Sequence, residues 1–224
     1  MSIRDWPTSE QPREKLIAQG SSVLSDAELL ALLLGSGCKG QSAVALARQL
    51  LKTFGGLRTL CDASHQQLSQ QQGLGQVGYS RIQATLELGR RYLFETISRG
   101  DAFENPTITR RFLSARLRHH GQEVFGVLFL DNAHRVIAFE ELFHGTINGA
   151  SVYPRIVLQR ALAHNAAAVI FAHNHPSGVA EPSTADRQIT DTLCNVLSMV
   201  DIRVLDHFVI GESEAVSFAE RGLL

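Results

Sequence analysis

Two histidines, a serine and an aspartate in the second half of the chain have types and spacings that suit a metal site. Residues 173–178 read HNHPSG and residues 183–186 read STAD. Because side chains alternate along a strand, His173 and His175 point to the same side when a strand ends there. Asp186 then falls in the first turn of the next helix. Two imidazoles and one carboxylate are three zinc ligands, which leaves a fourth position for water, as in catalytic zinc sites.

Each part of this pattern also has a simpler explanation. A His-x-His pair alone is more typical of two ordinary hydrogen-bonded histidines, and Ser183-x-x-Asp186 matches a helix capping box by itself. The two interpretations are compatible, since a serine can cap a helix whose aspartate binds a metal. A histidine pair at a strand exit, then a turn, then a carboxylate at a helix start favours the metal site. For Asn174, between the histidines, we expect a hydrogen bond to the backbone.

The residues around this segment predict a sheet with helices packed on it. The run VFGVLFL at 124–130 is compact and apolar, and the Asp-Asn pair that follows is typical of a turn. Strands are predicted at 124–130, 135–143, 167–172, 202–210 and 215–219, and helices at 154–165 and 185–199. The order β-β-α-β-α-β-β indicates an α/β domain.

The first half of the chain predicts helices instead. Ser25 and Glu28 have the spacing of a capping box, and the glycines after 26–34 end the helix that it opens. Helices are predicted at 13–19, 26–34, 41–53, 57–68 and 81–94. The polar segment SRGDAFENPT, with its Gly and Pro, is typical of a linker. We therefore predict a helical domain at 1–98, a linker at 99–107 and an α/β domain at 108–224.

Composition excludes several classes of protein. With 224 residues and 44% hydrophobic content, the chain is long and apolar enough for one or two folded domains. The three cysteines share no CxxC spacing, which argues against a disulfide framework or a thiolate zinc site. The N-terminus is polar, and no apolar run approaches the roughly 20 residues that span a membrane. We expect a reduced, cytoplasmic protein with no membrane partner.

Charge is distributed unevenly between the halves. The formal net charge is −1, so no global basic field indicates a nucleic-acid partner. The first 100 residues nevertheless carry 11 Lys and Arg against 8 Asp and Glu, whereas the rest carry 10 against 14. This asymmetry fits two domains with different partners, and equally fits charge scatter.

The site pattern belongs to a recognisable motif. The string His173-x-His175-(seven residues)-Ser183-x-x-Asp186 matches the JAMM (MPN+) metalloprotease motif. HNHPSG, with VYPR before it and LDHFVIG after it, resembles the RadC family (UPF0758), and the resemblance runs from REKL and LSDAELLALLL near the start to FAERG at the end. It implies a cytidine-deaminase-like MPN/JAMM domain, with a mixed sheet and packed helices, after an all-α domain that resembles helix-hairpin-helix proteins.

The resemblance also implies roles for the site residues. His173, His175 and Asp186 would bind one Zn²⁺ per chain, and Ser183 would help to hold the bound water and the developing oxyanion. His207, in LDHFVIG, is expected to be a hydrogen-bonded core histidine.

An upstream glutamate is the general base in JAMM enzymes, where it precedes an apolar strand. The sequence EVFGVL beginning at Glu123 matches that context, so the base is assigned to Glu123. Glu140 and Glu141 are rivals from the next strand. They face opposite sides of it, so at most one points into the site, and a solvated hairpin edge explains both better.

Three functions follow as expectations. The leading one is a zinc metallopeptidase whose metal-activated water attacks an amide bond in a peptide or protein substrate. The alternative is a DNA-binding, repair-associated protein with a structural or vestigial metal site. A third, metal-dependent hydrolysis of a nucleic acid, uses the same site.

The glycine-rich turn GLGQVG in the helical half is the candidate DNA contact. In helix-hairpin-helix proteins such glycines let backbone N–H groups approach a phosphate. Gly73, Gly75, Gly78 and Arg81 would take this role here. A glycine turn between packed helices explains the same residues equally well.

Overall fold

The chain forms two units in the computed structural model, which describes residues 3–98, 105–145 and 151–224. The first unit is Met1–Gly89 and the second is Arg90–Leu224. The boundary expected at residues 99–107 stays a prediction, because residues 99–104 lie outside the described residues. Among the described residues, no helix is long and apolar enough to cross a membrane.

The first unit is helical, as predicted. Its helices are α1 (Pro12–Gln19), α2 (Asp26–Leu34), α3 (Ala43–Phe54), α4 (Leu57–Cys61), α5 (His65–Ser69) and the start of α6 (Gln76–Ser98). Ser25 and Glu28 form the expected capping box at the start of α2, and Gly35 ends that helix in the left-handed conformation, with φ 78°. The helix predicted at 57–68 is instead two short helices, because Ser64 caps α5.

The second unit is a mixed sheet with helices, which confirms the α/β expectation. Its elements are α7 (Pro106–Leu117), β1 (Val124–Leu130), β2 (Val136–His144), α8 (Pro154–Ala163), β3 (Ala168–Asn174), α9 (Thr184–Ser198), β4 (Arg203–Ile210) and β5 (Ala215–Ser217). The strand order is β2-β1-β3-β4-β5. The β3–β4 pair is parallel and the other pairs are antiparallel.

The two faces of the sheet bury different helices. On one face, which we call the α8/α9 face, Phe125, Val127 and Phe129 of β1 join a core with residues of α8 and α9. On the opposite α7 face, Leu128 and Leu130 join a core with residues of α7. This alternation follows from the period of a strand, and it decides which residues of β3 reach the site.

Helix α7 begins inside the segment predicted to be a linker. The polar sequence around Pro106 predicts a linker, but proline is also favoured at the first position of a helix, and Pro106 occupies that position in α7. Phe112, Leu113 and Leu117 then lie on one buried face. The helical spacing of these three apolar residues is the sequence signal from which α7 could have been predicted.

Glu140 and Glu141 lie on opposite faces of β2, as predicted, but neither is simply solvated. The Glu140 carboxylate accepts from Arg160 Nε at 2.7 Å and contacts His164 Nε2 at 2.8 Å, which ties β2 to α8. Glu141 pairs with Arg116 Nη2 at 3.2 Å on the α7 face. Both rivals for the general base are therefore held in ion pairs.

The ion pairs of Glu140 give stability that depends on pH. Hydrogen bonds from Arg160, and then from His164, lower the pKa of Glu140 to about 2 although burial opposes them. Because the pKa is lower in the folded chain, this stability is full above about pH 5 and is lost as the pH falls toward 2. We expect Glu140→Gln to lower the unfolding temperature at pH 7 by about 2 °C, the effect of a partly exposed pair, and by less at pH 3.

Thermal unfolding followed by circular dichroism at pH 7, 5 and 3 checks this prediction. Glu181→Gln is the matched control, because its pair with Arg221 is more exposed and should contribute little. An equal difference between wild type and Glu140→Gln at pH 7 and pH 3 would contradict it.

Candidate metal centre

His173, His175 and Asp186 converge at one end of the sheet. One ligand atom from each lies within 4.8 Å of the others. The two Nε2 atoms are 3.0 Å apart, and Asp186 Oδ1 is 3.3 Å from His173 Nε2. Asp186 Oδ2 is 3.6 Å from His175 Nε2. His173 lies in strand β3, His175 directly follows that strand, and Asp186 lies in the first turn of α9.

The turn after β3 orients His175. Its Nδ1 lies 2.8 Å from the carbonyl oxygen of Val179, which can only accept, so Nδ1 carries the proton. In the neutral ring Nε2 then keeps its lone pair and points toward His173. Gly178 permits this turn, since its φ is +85° and a Cβ there would lie 3.1 Å from Glu212.

The capping box at the start of α9 orients Asp186. The backbone N–H and the hydroxyl of Ser183 both donate to Asp186 Oδ2, each at 2.7 Å, and Asp186 N–H donates to Ser183 Oγ at 3.1 Å. The capping box is thus as predicted. Oδ2 is held by the helix start, while Oδ1 faces His173. The hydroxyl proton of Ser183 is directed at Asp186, and its role toward water or an oxyanion stays a prediction.

Electrostatics favours a cation at this point. Burial acts to raise the pKa of Asp186, but its interactions with His173 and His175, together with the hydrogen bond from Ser183, outweigh burial and hold the pKa well below its usual range. The neighbouring Asp186 carboxylate in turn raises the pKa of His175 against the effect of burial. The carboxylate is therefore ionised, and its charge favours a positive charge beside it.

The donor set and its spacing fit a zinc ion. Ligand atoms about 2.1 Å from a tetrahedral zinc lie roughly 3.3–3.5 Å from each other. The measured separations of 3.0, 3.3 and 3.6 Å bracket that range. Two imidazoles with one carboxylate are also the ligand types of catalytic zinc sites. These three residues would hold the metal.

Glu123 directly precedes β1, at the end of the sheet where the two histidines lie. The last pair between β1 and β3 is Phe125 with His173, and Glu123 precedes Phe125 by two residues as His175 follows His173 by two. Among the influences that raise the pKa of His175 is the negative charge of Glu123. The structure therefore brings Glu123 to the site, and its role as general base stays a prediction.

Asn174 secures the segment that carries Glu123. It lies on the α7 face, because the flanking histidines point the other way, and it is only 2% exposed. Its Oδ1 accepts from Val124 N–H at 2.8 Å, and its Nδ2 donates to the carbonyls of His120 and Gln122 at 3.1 and 3.0 Å. The backbone hydrogen bond expected for Asn174 is therefore present, and it extends to three backbone groups.

His207 is a fully buried, hydrogen-bonded histidine, as expected. Its Nε2 lies 2.8 Å from His173 Nδ1, and its Nδ1 lies 2.7 Å from Thr190 Oγ1. Burial holds the pKa of His207 well below its ordinary value, so the ring is neutral. Thr190 was not among the predicted site residues, although its position four residues after Asp186 places it on the same side of α9.

Comparison with known proteins agrees with this geometry. Residues 103–223 match the RadC-like JAB domain, and residues 3–80 match the UPF0758 N-terminal domain. A UPF0758 protein of Thioalkalivibrio sulfidiphilus is 62% identical over 224 residues, which is the full length of both chains. This chain belongs to the UPF0758 family. A UPF0758 protein of Nitrosococcus oceani is 61% identical over the same full length, and one of Stutzerimonas stutzeri is 60% identical over 99% of both chains.

The glycine turn in the UPF0758 N-terminal domain is used largely for packing. Gly73 has φ +87°, and a Cβ there would lie 2.9 Å from Cys38 Cβ. Gly78 falls inside α6 rather than in the turn, and a Cβ there would lie 2.9 Å from the Leu74 side chain and 3.5 Å from that of Leu34.

The other two predicted DNA contacts differ from each other. The Arg81 guanidinium donates to the Leu34 carbonyl at the end of α2. Gly75 alone has open space where a Cβ would stand. Packing thus accounts for Gly73 and Gly78 and a hydrogen bond accounts for Arg81, while DNA binding by this UPF0758 hairpin stays a prediction.

Removing the Asn174 side chain should loosen the segment that carries Glu123. We expect Asn174→Ala to lower the free energy of unfolding by about 3 kcal/mol, because it leaves buried backbone groups without partners. Hydrogen exchange at the Val124 amide should accelerate at the same time. Gln122→Ala is the control, since it keeps the carbonyl that Asn174 binds. Unchanged hydrogen exchange at the Val124 amide in Asn174→Ala would show that the Asn174 side chain does not hold this segment in place.

Proposed function

We propose that this UPF0758 protein is a zinc-dependent hydrolase of the metallopeptidase type, which cleaves an amide bond in a peptide or protein. The observation that carries the proposal is the convergence of His173, His175 and Asp186 beside Glu123. A metal-binding triad and an acid–base residue on one face are the parts that metal-assisted hydrolysis needs. The match to the RadC-like JAB domain supports the same chemistry.

The site has a closed side and an open side. The His173 side chain is 1% exposed, whereas that of His175 is 18% exposed. The ligand set therefore sits at the surface end of the sheet, where a substrate carbonyl can reach it. Three protein ligands leave a tetrahedral ion one position for a water, which distinguishes a catalytic site from a closed structural one.

Each residue then has a defined task. A zinc ion held here supplies an activated water at neutral pH, since the metal lowers the pKa of bound water to about 7. Glu123 accepts a proton from the attacking water and delivers one to the leaving amine nitrogen. Asp186 and the two histidines supply the negative charge and lone pairs that hold the metal, and Ser183 fixes the carboxylate of Asp186.

Metal content tests the ligand assignment. We expect about one zinc per chain in protein from zinc-replete medium, and a loss of bound zinc in His173→Ala and Asp186→Ala, because each removes one of three ligands. Elemental analysis after gel filtration gives the stoichiometry. His65→Ala is the control, since this histidine lies in the helical unit. Wild-type protein free of zinc, or full zinc in both variants, would overturn the proposal.

Glu123→Gln separates metal binding from catalysis. The amide cannot take a proton from water, so hydrolysis should fall about 10²–10⁴-fold while zinc content stays at the wild-type value. The assay is release of new amino groups from a library of unstructured peptides incubated with the zinc-loaded protein. Turnover that survives in Glu123→Gln would rule out the assigned base.

The nucleic-acid alternatives use the same preparation. Single-stranded and duplex oligonucleotides replace the peptides, and Glu123→Gln is again the variant expected to be inactive. Cleavage of oligonucleotides without cleavage of peptides would favour a nuclease. Binding of DNA without any turnover would favour a repair-associated protein with a vestigial site, and either result would contradict the peptidase proposal.

A further inference from the structure

We propose that His207 and Thr190 form a buried hydrogen-bond relay that holds His173 in the tautomer whose Nε2 is free to bind metal. The inference rests on the proposed zinc site, and it assigns a positioning role to two residues outside the ligand set. Neither side chain offers an atom to the group formed by His173, His175 and Asp186.

The relay is a continuous chain of short contacts that begins and ends at metal ligands. Thr190 Oγ1 lies 2.5 Å from the carbonyl oxygen of Asp186 and 2.7 Å from His207 Nδ1. His207 Nε2 lies 2.8 Å from His173 Nδ1. Thr190 and His207 are both 0% exposed, so no bulk water competes for these contacts.

The donor and acceptor in each hydrogen bond of the relay follow from the number of protons available. The Asp186 carbonyl only accepts, so Thr190 gives it the single proton of its hydroxyl. The Thr190 oxygen must then accept from His207 Nδ1–H. Since neutral His207 has one proton, its Nε2 accepts, and His173 Nδ1 is the donor. His173 Nε2 is left with a lone pair that points into the metal site.

The reverse direction is disfavoured by the same geometry. If Thr190 gave its proton to His207 Nδ1, the oxygens of Thr190 and Asp186 would lie 2.5 Å apart with no proton between them. Two oxygen lone pairs at that distance repel. The reverse chain would also place the His173 proton on Nε2, where it would compete with the metal.

The surrounding aromatic side chains keep the His207 ring in place. The rings of Phe125, Phe171 and Phe218 have centroids 5.5, 5.8 and 4.7 Å from that of His207. These side chains offer no hydrogen-bond acceptor or donor. Within the described part of the chain, the hydrogen-bond partners of the two His207 ring nitrogens are therefore His173 and Thr190.

The tautomers can be measured directly in the metal-free protein. Long-range ¹H–¹⁵N correlation spectra of the wild type distinguish protonated from unprotonated ring nitrogens. We expect His207 with its proton on Nδ1 before any zinc is added. A proton on His207 Nε2 in the metal-free protein would overturn the proposal, and this measurement needs no variant to fold.

A pair of substitutions at Thr190 tests the consequence for metal binding. Thr190→Val keeps the shape but removes the acceptor for His207 Nδ1–H, so the proton moves to Nε2 and reverses the chain. Zinc affinity, measured by competition with a chromophoric chelator, should fall about tenfold, the low end for residues behind a ligand. Thr190→Ser keeps the hydroxyl and should restore wild-type affinity and the wild-type His207 spectrum.

The outcomes separate this inference from the proposed function. If the wild type binds no zinc, the zinc site itself is wrong. If the wild type binds zinc and Thr190→Val binds it equally well with the same His207 tautomer, the site stands and the relay is wrong. If Thr190→Val and Thr190→Ser weaken zinc binding equally, the effect is packing rather than the hydroxyl, and the relay is again wrong.

Discussion

The close approach of three polar side chains is the constraint on which the rest of the site depends. The Nε2 atoms of His173 and His175 lie 3.0 Å apart, with the ionised carboxylate of Asp186 3.3 Å from one and 3.6 Å from the other. Such groups separate unless a positive charge lies between them or the fold holds them. The fold does so by placing the histidines at the end of a central strand and the carboxylate on the first turn of a helix.

Asp186 can serve both helix formation and the proposed metal site, because its two oxygens have different partners. Ser183 holds Oδ2 through two hydrogen bonds, and Oδ1 remains for the site. The positive end of the α9 dipole also favours a carboxylate at this position. The start of α9 and the position of the ligand are thereby coupled, so a shift of one moves the other.

Local patterns in the sequence predicted most of this arrangement. The HNHPSG segment, the Ser183–Asp186 spacing and the apolar run of β1 each contain their own signal within a few residues. Contacts between distant segments leave no such signal in the sequence. Asn174 forms hydrogen bonds with backbone groups about 50 residues away, and Thr190 forms one with His207, which follows it by 17 residues. The start of helix α7 is ambiguous in the sequence for a different reason, because a proline such as Pro106 is typical both of a linker and of a helix start.

The period of a strand explains why one short segment both builds the site and supports it. Since side chains alternate, Asn174 faces away from His173 and His175 on either side of it, and it uses that direction to hold three backbone groups at residues 120–124. That segment carries Glu123 back to the ligand face. The backbone on both sides of Glu123 is therefore held by hydrogen bonds from the segment that bears the two histidines rather than by a free loop, which fixes where the proposed acid–base residue begins.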